Sequence, residues 1–131
     1  MRHILPLLLI IMTMTSCQEM DQIDLASLSE EERSAVAPLT WLRDADATRD
    51  ARKAIERGDK RLLAMATRGP NMPGVPAEQA SKAKSVCGIR YVEGSTDAVM
   101  GDTHLKLLQA AEKYARQYNG IMLGACLPPV Q

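Results

Sequence analysis

Residues Thr103–Asn119 read THLKLLQAAEKYARQYN, and where this stretch ends decides the fold. Leu107, Leu108, Ala111, Tyr114, Ala115 and Tyr118 recur at helical spacing and line one wide face. Lys106, Gln109, Glu112, Lys113, Arg116 and Gln117 lie opposite, with Glu112 and Arg116 a favourable pair four apart. Asp102 is placed to cap the helix start, and Asn119-Gly120 to stop it. The six residues that follow, IMLGAC (121–126), then read as a last strand before Pro128-Pro129.

Working outward, SVCGIRYV (85–92) carries the β-branched and aromatic residues of a second strand, and RLLAMAT (61–67) is apolar enough for a buried one. Between them GPNMPGVP (69–76) holds three prolines and two glycines and reads as a loop, with a short helix around 77–84 opened by Pro76. Upstream, Asp46 or Thr48 caps a helix over ATRDARKAIER that ends at Gly58. Its Ala47, Ala51, Ala54 and Ile55 form a small-residue face suited to close packing on a sheet. Ser29 and Glu32 have capping-box spacing and open a short helix that runs to Val36 and ends or kinks at Pro38. Leu39, Trp41 and Leu42 form an apolar knot after it. The pattern is that of one small α+β or α/β domain, about three strands with three or four helices, and no internal repeat.

Composition narrows the function classes. The chain has 131 residues, no Phe, one Trp and three Tyr, so its core must be built from aliphatic residues and Met. Formal net charge is zero, which leaves no electrostatic footprint for nucleic acid.

The first residues do not belong to the domain. Arg2 and His3 precede ILPLLLIIM (4–12), a basic start followed by an apolar run too short to span a bilayer and apolar all round. The pattern reads as an export signal over residues 1–16. Its end, Met14-Thr15-Ser16-Cys17, resembles the lipobox of bacterial lipoproteins, with Met14 in place of the commoner Leu and Ser16 in place of Gly or Ala. The resemblance implies lipidation of Cys17, cleavage before it and acylation of the new N-terminus. It implies a chain held at the membrane by several acyl chains, each buried methylene contributing about 0.8 kcal/mol. Gln18, where Asp would favour retention at the inner membrane, implies the outer membrane, facing the periplasm. Residues 17–28 are then an acidic tether, and the seven residues 18–24 reach at most roughly 25 Å. The globular domain occupies 29–131. Cleavage removes Arg2 alone among the charged residues, leaving 15 Lys and Arg against 16 Asp and Glu.

Two further thiols, Cys87 and Cys126, sit in an exported chain, where an oxidising compartment favours a disulfide. If 85–92 and 121–126 were parallel neighbours, the two cysteines would fall far beyond bridging reach. An antiparallel pair with Val92 opposite Ile121 sets Cys87 opposite Cys126. A bridge and antiparallel strands are therefore expected together, unless Cys126 lies beyond the sheet on a tail that folds back.

Chemistry-bearing residues are few. His104 is the sole histidine after residue 16, and Asp97, Asp102 and Ser95 lie near it in the 93–104 turn. An Asp-x-His pair at such a turn could hold a ligand or act in proton transfer, but one imidazole and two carboxylates fall short of a metal set. The plainer reading puts His104 in the first turn of the helix, with Asp102 as its cap. A Ser95-His104-Asp97 triad has nearness in sequence only, and triads are recognised by geometry. The 69–76 loop lacks the G-x-G-x-x-G pattern and is read as a connector. Arg68, Arg90 and Arg116 are candidates for an anion only if they converge, and Tyr91, Tyr114 and Tyr118 read as core and core edge. No metal or cofactor is implied. The expected function is that of a lipid-anchored envelope protein that binds another envelope protein or supports envelope structure. The alternative is a small periplasmic enzyme or ligand-binding module using the 93–104 turn.

Overall fold

The computed structural model describes residues 23–67 and 69–127. Residues 1–22, the stretch expected to hold an export signal, Cys17 and the start of a tether, lie outside the described residues, as do Arg68 and the final residues 128–131.

The described residues build four α-helices around a small sheet, an α+β domain. The Ser29 hydroxyl accepts from the Glu32 N–H at 3.2 Å and opens α1 (Glu30–Val36). Pro38 is then accommodated at the start of a 3-10 helix, Ala37–Asp44, which buries Leu39 fully. Asp46, not Thr48, caps α2 (Ala47–Glu56) by accepting from the Arg49 N–H at 2.9 Å. Ala47, Ala51 and Ala54 are buried, and this face packs chiefly on the long C-terminal helix and not on the sheet as expected, because its lack of bulk suits a close helix neighbour equally well.

Strand β1 (Leu62–Thr67) is central and buried from Leu62 to Met65. On one side it pairs antiparallel with the short β2 (Gly69–Asn71), so the first residues of the expected loop belong to the sheet. The chain then crosses through a 3-10 turn (Ala77–Gln79) and α3 (Ala80–Cys87) to β3 (Ile89–Tyr91), which pairs parallel with β1, Leu63 opposite Arg90. Strand 85–92 is thus shorter than its composition suggests. Residues 85–87 finish α3, Val86 is solvent-exposed, and Gly88 at φ 76° makes the corner that only a residue without a Cβ makes easily.

The largest correction concerns the C-terminus. Helix α4 runs from Asp102 to Cys126 without a break at Asn119-Gly120, and 121–126 is its last part, not a strand. The antiparallel pairing expected for that strand therefore does not exist, and the strands that do form within 61–67 and 85–92, β1 and β3, are parallel. The reason is tertiary. Asn119 is fully buried, its Oδ1 accepting from the Leu63 N–H at 2.7 Å and its Nδ2 donating to Leu63 O at 2.9 Å and Pro73 O at 2.8 Å. A breaker held by three hydrogen bonds keeps a helical backbone, which brings Met122 into the core. Cys87 and Cys126 still lie at disulfide distance, with Cα atoms 5.7 Å apart, as the last residues of α3 and α4.

The loop after β2 is laid on α4. Gly74, at φ 80°, sits so close that a Cβ would stand 2.8 Å from the Arg116 carbonyl oxygen. At the other end, packed chain begins before Ser29. Ile23 and Leu28 lie against the core, and Arg33 donates to the carbonyls of Leu25 at 3.0 Å and Leu28 at 3.1 Å. Within the stretch read as tether, residues 23–28 thus touch the domain through Ile23 and Leu28, with 24–27 exposed. Among the described residues no helix is long and apolar enough to cross a membrane.

Candidate functional site

The 93–104 turn is organised around His104, which is completely buried. Its Nδ1 accepts from the Met100 N–H at 3.0 Å, so in the neutral ring the proton sits on Nε2. That Nε2 is buried with no hydrogen-bond partner among the described residues, a cost of about 1–3 kcal/mol. The main-chain N–H of His104 donates to Glu32 Oε1 at 3.1 Å. Glu32 therefore supplies the helix cap expected of Asp102. The N-cap position belongs to Gly101, which has no side chain to offer, and Asp102 is the first helical residue. Gly101 is suited to this position because a Cβ there would overlap the Glu32 carboxyl group. Asp102 still complements the positive end of the helix dipole.

The three candidate site residues do not converge on a shared ligand position. Asp97 and Asp102 are exposed, and neither carboxylate bonds the His104 imidazole. The Ser95 hydroxyl accepts from the Ala66 N–H at 2.9 Å, which ties the turn to β1 instead of forming a triad. No group of three His, Cys, Asp or Glu among the described residues is placed to hold a metal ion.

A second place is better formed. Trp41, Leu63, Arg90, Val92, Glu93 and Tyr114 surround a cleft of about 100 Å³. The 3-10 helix after α1 brings Trp41 to it, β1 supplies Leu63, β3 supplies Arg90 and is followed by Val92 and Glu93, and α4 supplies Tyr114. Trp41 Nε1–H donates to the Glu93 carbonyl at 3.0 Å, and the Trp41 and Tyr114 rings meet edge to face with centroids 5.0 Å apart. Tyr118 follows at 6.0 Å, and the Arg90 guanidinium stands 5.4 Å above its ring. The Tyr114 hydroxyl donates to Asp50 Oδ2 at 2.7 Å. Burial, and then the Asp50 carboxylate, push this phenol well above its ordinary range, so it stays a donor. For Asp50 burial is the largest influence and opposes ionisation. The hydrogen bonds from Tyr114, Arg49 and the Asp46 N–H outweigh it and hold the carboxyl below its usual value.

Of the three arginines weighed as an anion site, Arg90 lines the cleft, Arg116 pairs with Glu112 at 2.9 Å on the exposed face of α4, and Arg68 lies outside the described residues. Tyr118 is core and Tyr114 core edge, while Tyr91 is 54% exposed. Sequence reasoning missed the cleft because Trp41, Arg90 and Tyr114 come from distant segments. The sole signal was a single Trp in a chain with few aromatics. No family model, curated protein or solved structure matches the chain.

Proposed function

We propose that the chain is a lipid-anchored envelope protein, held at the membrane through Cys17, whose domain works by contact with another envelope protein. The observation that carries this reading is Met14-Thr15-Ser16-Cys17 at the end of a short apolar run behind Arg2 and His3. Cys87 and Cys126 at bridging distance suit an oxidising compartment. Exposed apolar side chains, Val99 and Met100 before α4 and Leu105 in its first turn, with Met100 beside Glu30 and Glu31 of α1, offer a contact surface.

Metabolic labelling with an alkyne fatty acid tests the anchor. Wild-type chain becomes labelled and sediments with membranes, and Cys17→Ala does neither. Equal labelling of the variant, or release of wild-type chain into the soluble fraction, refutes lipidation. Crosslinking in native membranes followed by mass spectrometry tests the contact, and a reproducible partner lost on Met100→Glu is the expected result.

A further inference from the structure

We propose that the cleft between Trp41, Tyr114 and Arg90 binds a carboxylate carried on a small apolar group. The inference stands apart from the anchoring reading and does not depend on it. Its basis is a partly buried guanidinium that has no hydrogen-bond acceptor among the described residues, the Asp59 carboxylate acting on it through charge alone. Arg33, Arg49, Arg61 and Arg116 each donate to an oxygen acceptor. Arg90 is partly buried, and its contact is the face of Tyr118, with no hydrogen-bond acceptor among the described residues. A ring face attracts the guanidinium but satisfies none of its five N–H donors. A planar carboxylate takes two of them at once, and this fork geometry is what distinguishes Arg from Lys.

The walls define the rest of the ligand. Leu63 and Val92 are apolar and buried, and Trp41 and Tyr114 present ring surface. Their polar atoms are already engaged, Trp41 Nε1–H with the Glu93 carbonyl and the Tyr114 hydroxyl with Asp50. Apart from Glu93, the polar demand of the lining is at Arg90, and the remaining walls favour hydrocarbon. A cavity of roughly 150 Å³ holds benzene; about 100 Å³ suits a short aliphatic group. Glu93 also lines the cleft, and its charge opposes any anion, so the geometry calls for a ligand placed on the guanidinium and not merely attracted by net charge.

Two sources carry this chemistry, a free short-chain acid and a Glu or Asp side chain of a docked protein. Trp41 is the chain's one tryptophan, so its fluorescence reports the cleft alone. The full chain is titrated with sodium propionate, with an end-blocked peptide carrying one Glu among Leu and Ala, and with propylammonium chloride at matched ionic strength. Saturable change with propionate identifies a free acid, and change with the peptide alone identifies a protein side chain; both support carboxylate recognition. Arg90→Gln weakens either response at least about tenfold, the scale of hydrogen bonds to a charged group. Arg90→Lys, which keeps the charge and most of the stem, weakens it severalfold while the thermal midpoint is retained. No saturable response to either carboxylate, an affinity unchanged in Arg90→Lys, or equal binding of propylammonium overturns the proposal.

Discussion

Asn119 on α4 and Leu63 on β1 exchange two hydrogen bonds, as neighbouring strands do. The side-chain Oδ1 accepts from the Leu63 N–H at 2.7 Å, and Nδ2 donates to the Leu63 carbonyl at 2.9 Å. β1 uses Leu62 and Ala64 toward β3, through Leu62 N–H to Gly88 O and Val92 N–H to Ala64 O. Leu63 faces the other edge, where β2 begins pairing only at Met65. The amide of Asn119 fills the gap in that edge and fixes the helix to the sheet.

Replacing Asn119 by Ala leaves the N–H and carbonyl of Leu63 and the carbonyl of Pro73 buried without their partner. Each buried unmet group costs about 1–3 kcal/mol, partly recovered by relaxation, so we expect a loss of about 3–5 kcal/mol in urea unfolding. A loss below about 1 kcal/mol refutes the strand-like role of this amide.

Glu32 and Gly101 form a coupled pair. Glu32→Ala removes the acceptor for the His104 N–H and destabilises by about 1 kcal/mol, the usual scale of a helix cap. Gly101→Ala drives a methyl into the Glu32 carboxyl group and also destabilises. In the double variant the collision is gone, so the combined loss falls short of the sum of the two. Strict additivity in a double-mutant cycle refutes the contact.

What the sequence revealed was local, and what it concealed was distant. β1 was legible because Leu62–Met65 is a continuous apolar run, and α2 because its cap, its small-residue face and its terminal glycine lie within one short segment. The interior face of α4 was also legible, its Leu107, Ala111, Ala115 and Tyr118 all buried. Its end was not. Asn119-Gly120 is a stop signal by propensity, and the groups that overrule it are 56 and 46 residues away. The same holds for the cap that Glu32 extends across 72 residues to His104. The cysteine pair was found from compartment and count. The geometry offered for it failed because it assumed strands where the chain ends two helices.

The turn entering β1 carries a pH dependence of definite sign. Arg61 donates through Nε to Asp59 Oδ1 at 3.0 Å and through Nη2 to Oδ2 at 3.1 Å. These bonds lower the Asp59 carboxyl from an ordinary 3.8 to about 2. The folded value lies below the unfolded one, so the contribution is complete above about pH 4 and fades as pH falls toward 2. Because the Arg61 side chain is about half exposed, screening limits the effect to about 0.5–1 kcal/mol. Asp59→Asn should cost that much at pH 6 and progressively less toward pH 2. An equal cost at both ends shows that the carboxylate charge is not responsible.

Cys87 and Cys126 end α3 and α4, 39 residues apart in sequence, and a bond between them ties those helix ends together. It closes a loop that takes in β3 and the whole of α4. In the chain-entropy account such a loop restrains the unfolded chain by about 4 kcal/mol, which is a large share of the stability of a small domain. Reduction, or Cys87→Ser with Cys126→Ser, is expected to lower the unfolding free energy by about 3–4 kcal/mol and to loosen the last turns of α4 first. Their backbone leans on the bridge, whereas residues around Asn119 are held by Leu63 and Pro73. Hydrogen exchange read residue by residue checks the order. Protection lost from Leu123 to Leu127 before Ala115 to Asn119 is the expected pattern, and uniform loss along α4 contradicts it. Non-reducing mass spectrometry of chain expressed in an oxidising compartment gives the direct test: two alkylatable thiols on the folded protein would refute the bond.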